Sequence, residues 1–150
     1  MTETPVIIVG VDDSATSRHA LAWAAAEAAR LGAALEAVTT YDESHGPHPR
    51  AEAETVQDLV IEEVLGTQPA LPVAKLLVAG DPVEVLTRMS THAHQLVIGR
   101  HSTAGLRHSV DSSTAERCAR LAECPVTIVP GMPVLTEPGE VAVTPPTRSG

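Results

Sequence analysis

Five short apolar runs alternate along this chain with stretches that repeat apolar residues at a helical period, and this alternation limits the fold more than any other feature. Val6–Asp12 ("VIIVGVD") is apolar and β-branched on consecutive positions, as in a strand covered on both faces. Ser14–Gly32 then places Leu21, Ala24, Ala25, Ala28 and Leu31 along one side of a helix, with Gly32 as the stop. Ala34–Thr40 is a second strand. After the polar loop "YDESHGPHPR", Glu52–Leu65 is a second helix with Val56, Leu59, Val60 and Val64 inward and Asp58, Glu62 and Glu63 in water. Val73–Val78 is a third strand. "GDPVE" opens a third helix, with Asp81 as N-cap, Pro82 in the first turn, Glu84 closing a capping box, and Leu86, Met89 and Ala93 buried. Gln95–Ile98 is a strand, Ser113–Glu123 a helix and Val126–Val129 a last strand.

Strands that alternate with helices predict an α/β domain, with a parallel sheet, right-handed crossovers and helices on both faces. A chain of 150 residues is about one such domain. Beyond Pro130 the prolines at 133, 138, 145 and 146 and the lack of an apolar period predict a disordered tail over 131–150.

Composition removes several function classes. Trp23 and Tyr41 are the only aromatic residues of the Phe, Trp and Tyr set, so aliphatic side chains must build the core. No stretch approaches the ~20 apolar residues of a membrane span, and no basic-then-apolar leader is visible; the expectation is a cytoplasmic protein with no membrane partner. A formal net charge of −9, with Lys75 the sole lysine and the arginines scattered, speaks against nucleic acid as partner. Cys118 and Cys124 fall on different faces of a helix and its exit, so neither a disulfide nor a metal site is expected. His45, His48, His92 and His94 read as surface residues, because a zinc site needs four convergent ligands.

In open parallel sheets, ligands bind outside the carboxyl ends of strands where the strand order reverses. Here that means Asp12–Ser14 after the first strand and the segment from Gly99 to Ser113 after the fourth. The second segment belongs to "VIGRHSTAGLRHSVDSSTAERCARLAECPVTIVP", Val97–Pro130, where a strand runs into a small, polar and basic loop before a helix. Loops of this kind present backbone amides and a helix N-terminus to phosphate.

At these residues the chain resembles the universal stress protein family. "IIVGVDDS" is similar to the family's opening strand and turn, "ALAWAAAEAARLGA" to its first helix, "AGDP" to the entry of its third, and "CPVTIVP" to its closing strand. The resemblance runs from Val6 to Pro130 and implies a flavodoxin-like, Rossmann-like domain over residues 1–130, with strand order 3-2-1-4-5. Nucleotide-binding members carry a glycine, two residues, a second glycine, nine residues, then Gly-Ser or Gly-Thr. The spacing survives here as Gly99, Ser102 and Ser112-Ser113, with serine at the second and third glycines. The resemblance implies that Asp12 meets ribose or a metal, that Thr40 lies near adenine, and that Gly99, Arg100, Ser102, Ser112, Ser113 and Thr114 wrap the triphosphate. ATP, with magnesium, is the cofactor it would bring. Where the family's opening turn usually has glycine, this chain has Asp13.

Glycine serves such loops by reaching positive φ and by letting phosphate approach the amides. Serine in the left-handed region costs roughly 1–2 kcal/mol, and each amide held away from phosphate forfeits a charge-assisted bond of roughly 1.5–3 kcal/mol. Asp13, Asp111 and Glu116 add negative charge, offset by Arg100, His101, Arg107 and His108. Ser113 with Glu116 also reads as a capping box that needs no ligand. A receiver-domain phosphoacceptor lacks its third aspartate and its lysine, and neither a nucleophile elbow nor a Walker A loop is present, so no enzyme and no catalytic residue is expected. The leading expectation is a regulatory protein of the stress response that binds ATP weakly or not at all. It would act through protein contacts as a homodimer joined by Val126, Thr127, Ile128 and Val129, which cover an otherwise exposed sheet edge. The alternative is an ATP-binding protein with a nucleotide-dependent change of shape.

Overall fold

The computed structural model describes residues 4–100 and 112–130, with Ser112 and Ser113 given by their backbone alone. The elements are β1 (Val6–Gly10), α1 (Ala15–Leu31), β2 (Ala34–Tyr41), α2 (Pro49–Leu65), β3 (Val73–Ala79), α3 (Pro82–Met89), β4 (Gln95–Gly99), α4 (Ser112–Leu121) and β5 (Val126–Val129). A 3₁₀ turn over Ser90–His92 links α3 to β4. All four strand pairings are parallel, and the sheet order is β3-β2-β1-β4-β5, as expected. The segment 131–150, for which a tail is expected, lies outside the described residues.

Each face of the sheet carries its own core. On one face Ile7, Val9, Leu35, Ala37, Val97 and Val129 meet Ala20, Leu21, Ala24 and Ala28 of α1 and Val60 and Ile61 of α2, with Trp23 packed partly against them. On the other, Ile8, Val38, Leu96, Ile98 and Val126 meet Val83, Val85 and Leu86 of α3 and Ala115 and Cys118 of α4. Consecutive strand residues therefore face opposite cores, which is why the strands read as unbroken apolar runs. The alanines of α1 are what let a helix lie close to the sheet with so few large side chains available.

Local signals read from the sequence hold at the helix ends. Gly32 closes α1 at φ 67°, the left-handed region that glycine enters without strain. Asp81 accepts the Glu84 N–H at 3.1 Å and Pro82 occupies the first turn of α3. Other boundaries differ. β1 stops at Gly10, because the Asp12 N–H turns away from the sheet to the Ser17 hydroxyl. α2 begins three residues early, at Pro49, and α4 runs over Ser112–Leu121. Leu59 is a correction to the expected inward face of α2: it is 50% exposed, and Gln57, at 1%, takes the inward place. Gln57 goes in because its amide nitrogen has the Ala37 and Leu76 carbonyls and Thr39 Oγ1 as acceptors within the core.

The thiols of Cys118 and Cys124 are free, Cys118 fully buried. His45, His48, His92 and His94 are exposed. Among the described residues, no group of three or more His, Cys, Asp and Glu could hold a metal ion, and no helix is long and apolar enough to cross a membrane.

Candidate functional site

The carboxyl ends of β1, β2 and β4 open into a cleft lined by Gly10, Val11, Asp12, Ser14, Thr16 and Ser17 on one side. Val38, Thr40, Pro82, Leu86, Ile98 and Gly99 line the other. Of the residues expected at a site, Asp12, Thr40 and Gly99 therefore meet in one place. The described residues enclose a cavity of about 60 Å³ there, the floor of the cleft. Ser102, together with His101, Arg107, His108 and Asp111, lies outside the described residues, and of the side chains of Ser112 and Ser113 nothing is described.

Asp12 and the first turn of α1 form a closed ring of hydrogen bonds. The Asp12 N–H donates to Ser17 Oγ (2.8 Å), the Ser17 N–H donates to Ser14 Oγ (3.1 Å), and the Ser14 N–H donates to Asp12 Oδ1 (2.8 Å). Ser17 Oγ in turn donates to the Gly10 carbonyl at 3.4 Å. Ser14 is thus an N-cap and Asp12 an Asx-turn acceptor, roles that these short polar side chains fill without a ligand. No acidic residue stands in the first turn of α1, but the Asp12 carboxylate just before it accepts the N–H of the N-cap Ser14 and so lies at the positive end of the helix dipole.

Asp13 does not face the cleft as an isolated negative charge. Its carboxylate accepts from Arg18 Nη2 at 3.1 Å, and the same guanidinium reaches Glu63 of α2 at 2.9 Å. The hydrogen bond from Arg18 holds the Glu63 carboxyl below its ordinary value and raises the Arg18 guanidinium above its own. Arg100 extends the β4–β5 pairing by donating its N–H to the Val129 carbonyl at 2.8 Å, and its side chain stands 3.8 Å from Glu116 of α4. Glu116 thus has Arg100 beside it, a partner that the capping-box reading of Ser113 does not include. Thr114 is buried in the first turn of α4, and Thr40 pairs in register with Val78 of β3.

Gly99 has a role that spacing alone does not reveal. A Cβ placed on it would stand 2.7 Å from Thr16 Oγ1 and 2.8 Å from both the carbonyl carbon and oxygen of Thr16. The start of α1 rests directly on the end of β4, and only glycine leaves room. Gln57 and Arg18 are the further residues that shape this site and that sequence reading missed. An apolar position in the helical period of α2 filled by glutamine was the one signal available.

Residues 4–130 match the model of the universal stress protein family. A universal stress protein of Mycobacterium tuberculosis is 29% identical over 130 residues, which cover 81% of this chain and 44% of that protein, so the chain spans less than half the length of this relative. Among solved structures, a universal stress protein in complex with cAMP superposes with a TM-score of 0.63 at 22% identity, covering 85% of this chain and 98% of that one. The universal stress protein of Archaeoglobus fulgidus in complex with dAMP gives 0.61 at 17% identity, covering 86% and 99%. With the family model matched across the whole sheet and its helices, this chain belongs to the universal stress protein family.

Proposed function

We propose that this chain is a regulatory protein of the family, not an enzyme, that works through protein contacts as a homodimer joined along β5, and whose cleft binds ATP weakly or not at all. The observation that carries the weak-binding half is the ring formed by Asp12, Ser14 and Ser17. Asp12 Oδ1 and the hydroxyl oxygens of Ser14 and Ser17, which could meet ribose or phosphate, already accept backbone N–H groups of this same turn. Gly99, the one motif glycine retained, is accounted for by Thr16 and needs no phosphate. Residues 102 and 112 are serine where nucleotide-binding members of the family carry glycine, the residue that lets phosphate approach backbone amides.

A nucleotide-responsive protein is the second reading, with ATP and magnesium held by Asp12, Thr40, Gly99, Arg100, Ser102, Ser112, Ser113 and Thr114. It is favoured by the preserved spacing of Gly99, Ser102 and Ser112-Ser113 and by the nucleotides bound in two relatives. Calorimetry with ATP separates the two. The weak-binding reading expects little or no heat from the parent protein, and a gain of at least an order of magnitude in affinity, roughly 1.4 kcal/mol, for Ser102→Gly/Ser112→Gly. Micromolar binding by the parent would instead make the serines working ligands.

A further inference from the structure

Two side chains of α2 reach, by separate routes, the residues that form the cleft floor. Gln57 is buried at 1% exposure, and its Nε2 donates to Thr39 Oγ1 at 3.1 Å. Thr39 Oγ1 then donates to the Val11 carbonyl at 2.9 Å. Glu63, less than two turns farther along α2, takes Arg18 Nη2 on Oε1 at 2.9 Å and Nε on Oε2 at 3.4 Å. The same guanidinium donates through Nη1 to the carbonyls of Asp13 (2.9 Å) and Ser14 (3.3 Å) and through Nη2 to Asp13 Oδ1 (3.1 Å). One route is buried and neutral, the other ionic and at the surface. They end on Val11 and on Asp13-Ser14, either side of Asp12.

We propose that α2 is the positioning element of the cleft, setting the turn between β1 and α1 through the Gln57–Thr39–Val11 relay and the Glu63–Arg18 clamp. The proposal takes the cleft from the reading above but does not need the cleft to bind nucleotide. A planar guanidinium that bonds a carboxylate on one side and two backbone carbonyls on the other fixes both distance and orientation, which a lysine would not. The relay passes through a core where unmade hydrogen bonds are costly, so it keeps its geometry. A displacement of α2 therefore shifts Val11, Asp13 and Ser14. By the reciprocity of linkage, a molecule that moves those residues is felt at α2, whose outer side exposes Glu52, Asp58 and Glu62.

Amide hydrogen exchange on the full chain without nucleotide tests this, reading the amides of Asp12, Ser14 and Ser17. Arg18→Met and Gln57→Met/Arg18→Met should each exchange faster at these sites, the double variant by about tenfold beyond its change in global stability measured by urea. Lys75→Met is the control, because Lys75 binds Asp58 of the same helix at 2.9 Å but anchors it to β3. It should leave the three amides unchanged. Arg18 is at the surface, so its single variant gives an answer even if loss of Gln57 unfolds the chain. Unchanged exchange after correction in Arg18→Met, or equal acceleration by Lys75→Met, overturns the proposal. Calorimetric failure to bind ATP would bear on the nucleotide reading alone.

Discussion

Replacing Gly99 by alanine should destabilise the protein with no nucleotide present. The new methyl would sit 2.7 Å from Thr16 Oγ1, and rotation of that side chain cannot relieve the clash, because the Thr16 carbonyl carbon and oxygen are equally close at 2.8 Å. Ordinary carbon contacts begin near 3.5 Å. The first turn of α1 or the end of β4 must therefore withdraw by several tenths of an ångström, and both are central to the fold. Overpacking of this kind typically costs about 1–3 kcal/mol. At about 2–4 °C per kcal/mol for a chain of this size, the melting temperature should fall by roughly 2–12 °C. Gly10→Ala provides the comparison, since its methyl would meet only Leu86 Cδ1, at 3.4 Å. That is a contact with the end of a side chain, and its cost should stay below about 1 kcal/mol, partly offset by a stiffer unfolded chain. Urea denaturation followed by circular dichroism measures both. If Gly99→Ala matches the parent within about 0.5 kcal/mol, or costs no more than Gly10→Ala, the packing role of Gly99 is wrong and its retention points back to a phosphate.

Burial pushes the Cys118 thiol from its ordinary value of 9.0 up to about 11. The folded state thus keeps its proton longer than the unfolded state, so stability is full below the unfolded value and is lost as pH rises through about 11; urea titrations should show a loss of about 2–3 kcal/mol across that window, absent in Cys118→Ala. Asp81→Ala removes the acceptor for the Glu84 N–H and should cost about 0.5–2 kcal/mol, read by the same titration at neutral pH. The dimer is best tested at Ile128. Pro125 and Val129 give their carbonyls to Leu96 and Arg100 of the neighbouring strand, so Thr127, in phase with them, also turns its backbone to β4, while Ile128 turns its own to the outer edge. Ile128→Pro should shift sedimentation toward monomer while leaving the β4–β5 pairing intact, and a chain that sediments as monomer before mutation would remove the dimer from the proposal.

Features written in neighbouring residues were legible in the sequence. The β-branched runs, Gly32 after α1, and Asp81 with Pro82 before α3 each state a local preference that nothing distant opposes. Strand order came with the family resemblance, since alternation alone leaves several parallel orders open. What was hidden depends on partners far along the chain. Arg18 and Glu63 are 45 residues apart, and nothing local marks them as a pair or shows that Asp13 joins them. Leu59 was placed inward because leucine outranks glutamine in hydrophobicity, yet three acceptors on Ala37, Thr39 and Leu76 make the inward position polar. At the site, Asp12, Thr40 and Gly99 were found because sheet topology brings strand ends together, but their internal hydrogen bonds are a matter of geometry.

A core built almost wholly from aliphatic side chains also decides what light can report. Trp23 is the only indole, and it packs against the cluster shared by α1 and α2. Its emission will follow the loosening of that face of the sheet and remain nearly blind to the α3–α4 face. Fluorescence and far-ultraviolet ellipticity should trace one unfolding curve if the two faces melt together. Curves that part would show the α3–α4 layer letting go separately, and a tryptophan placed at Leu121, half-exposed at the end of α4, would give that layer a signal of its own.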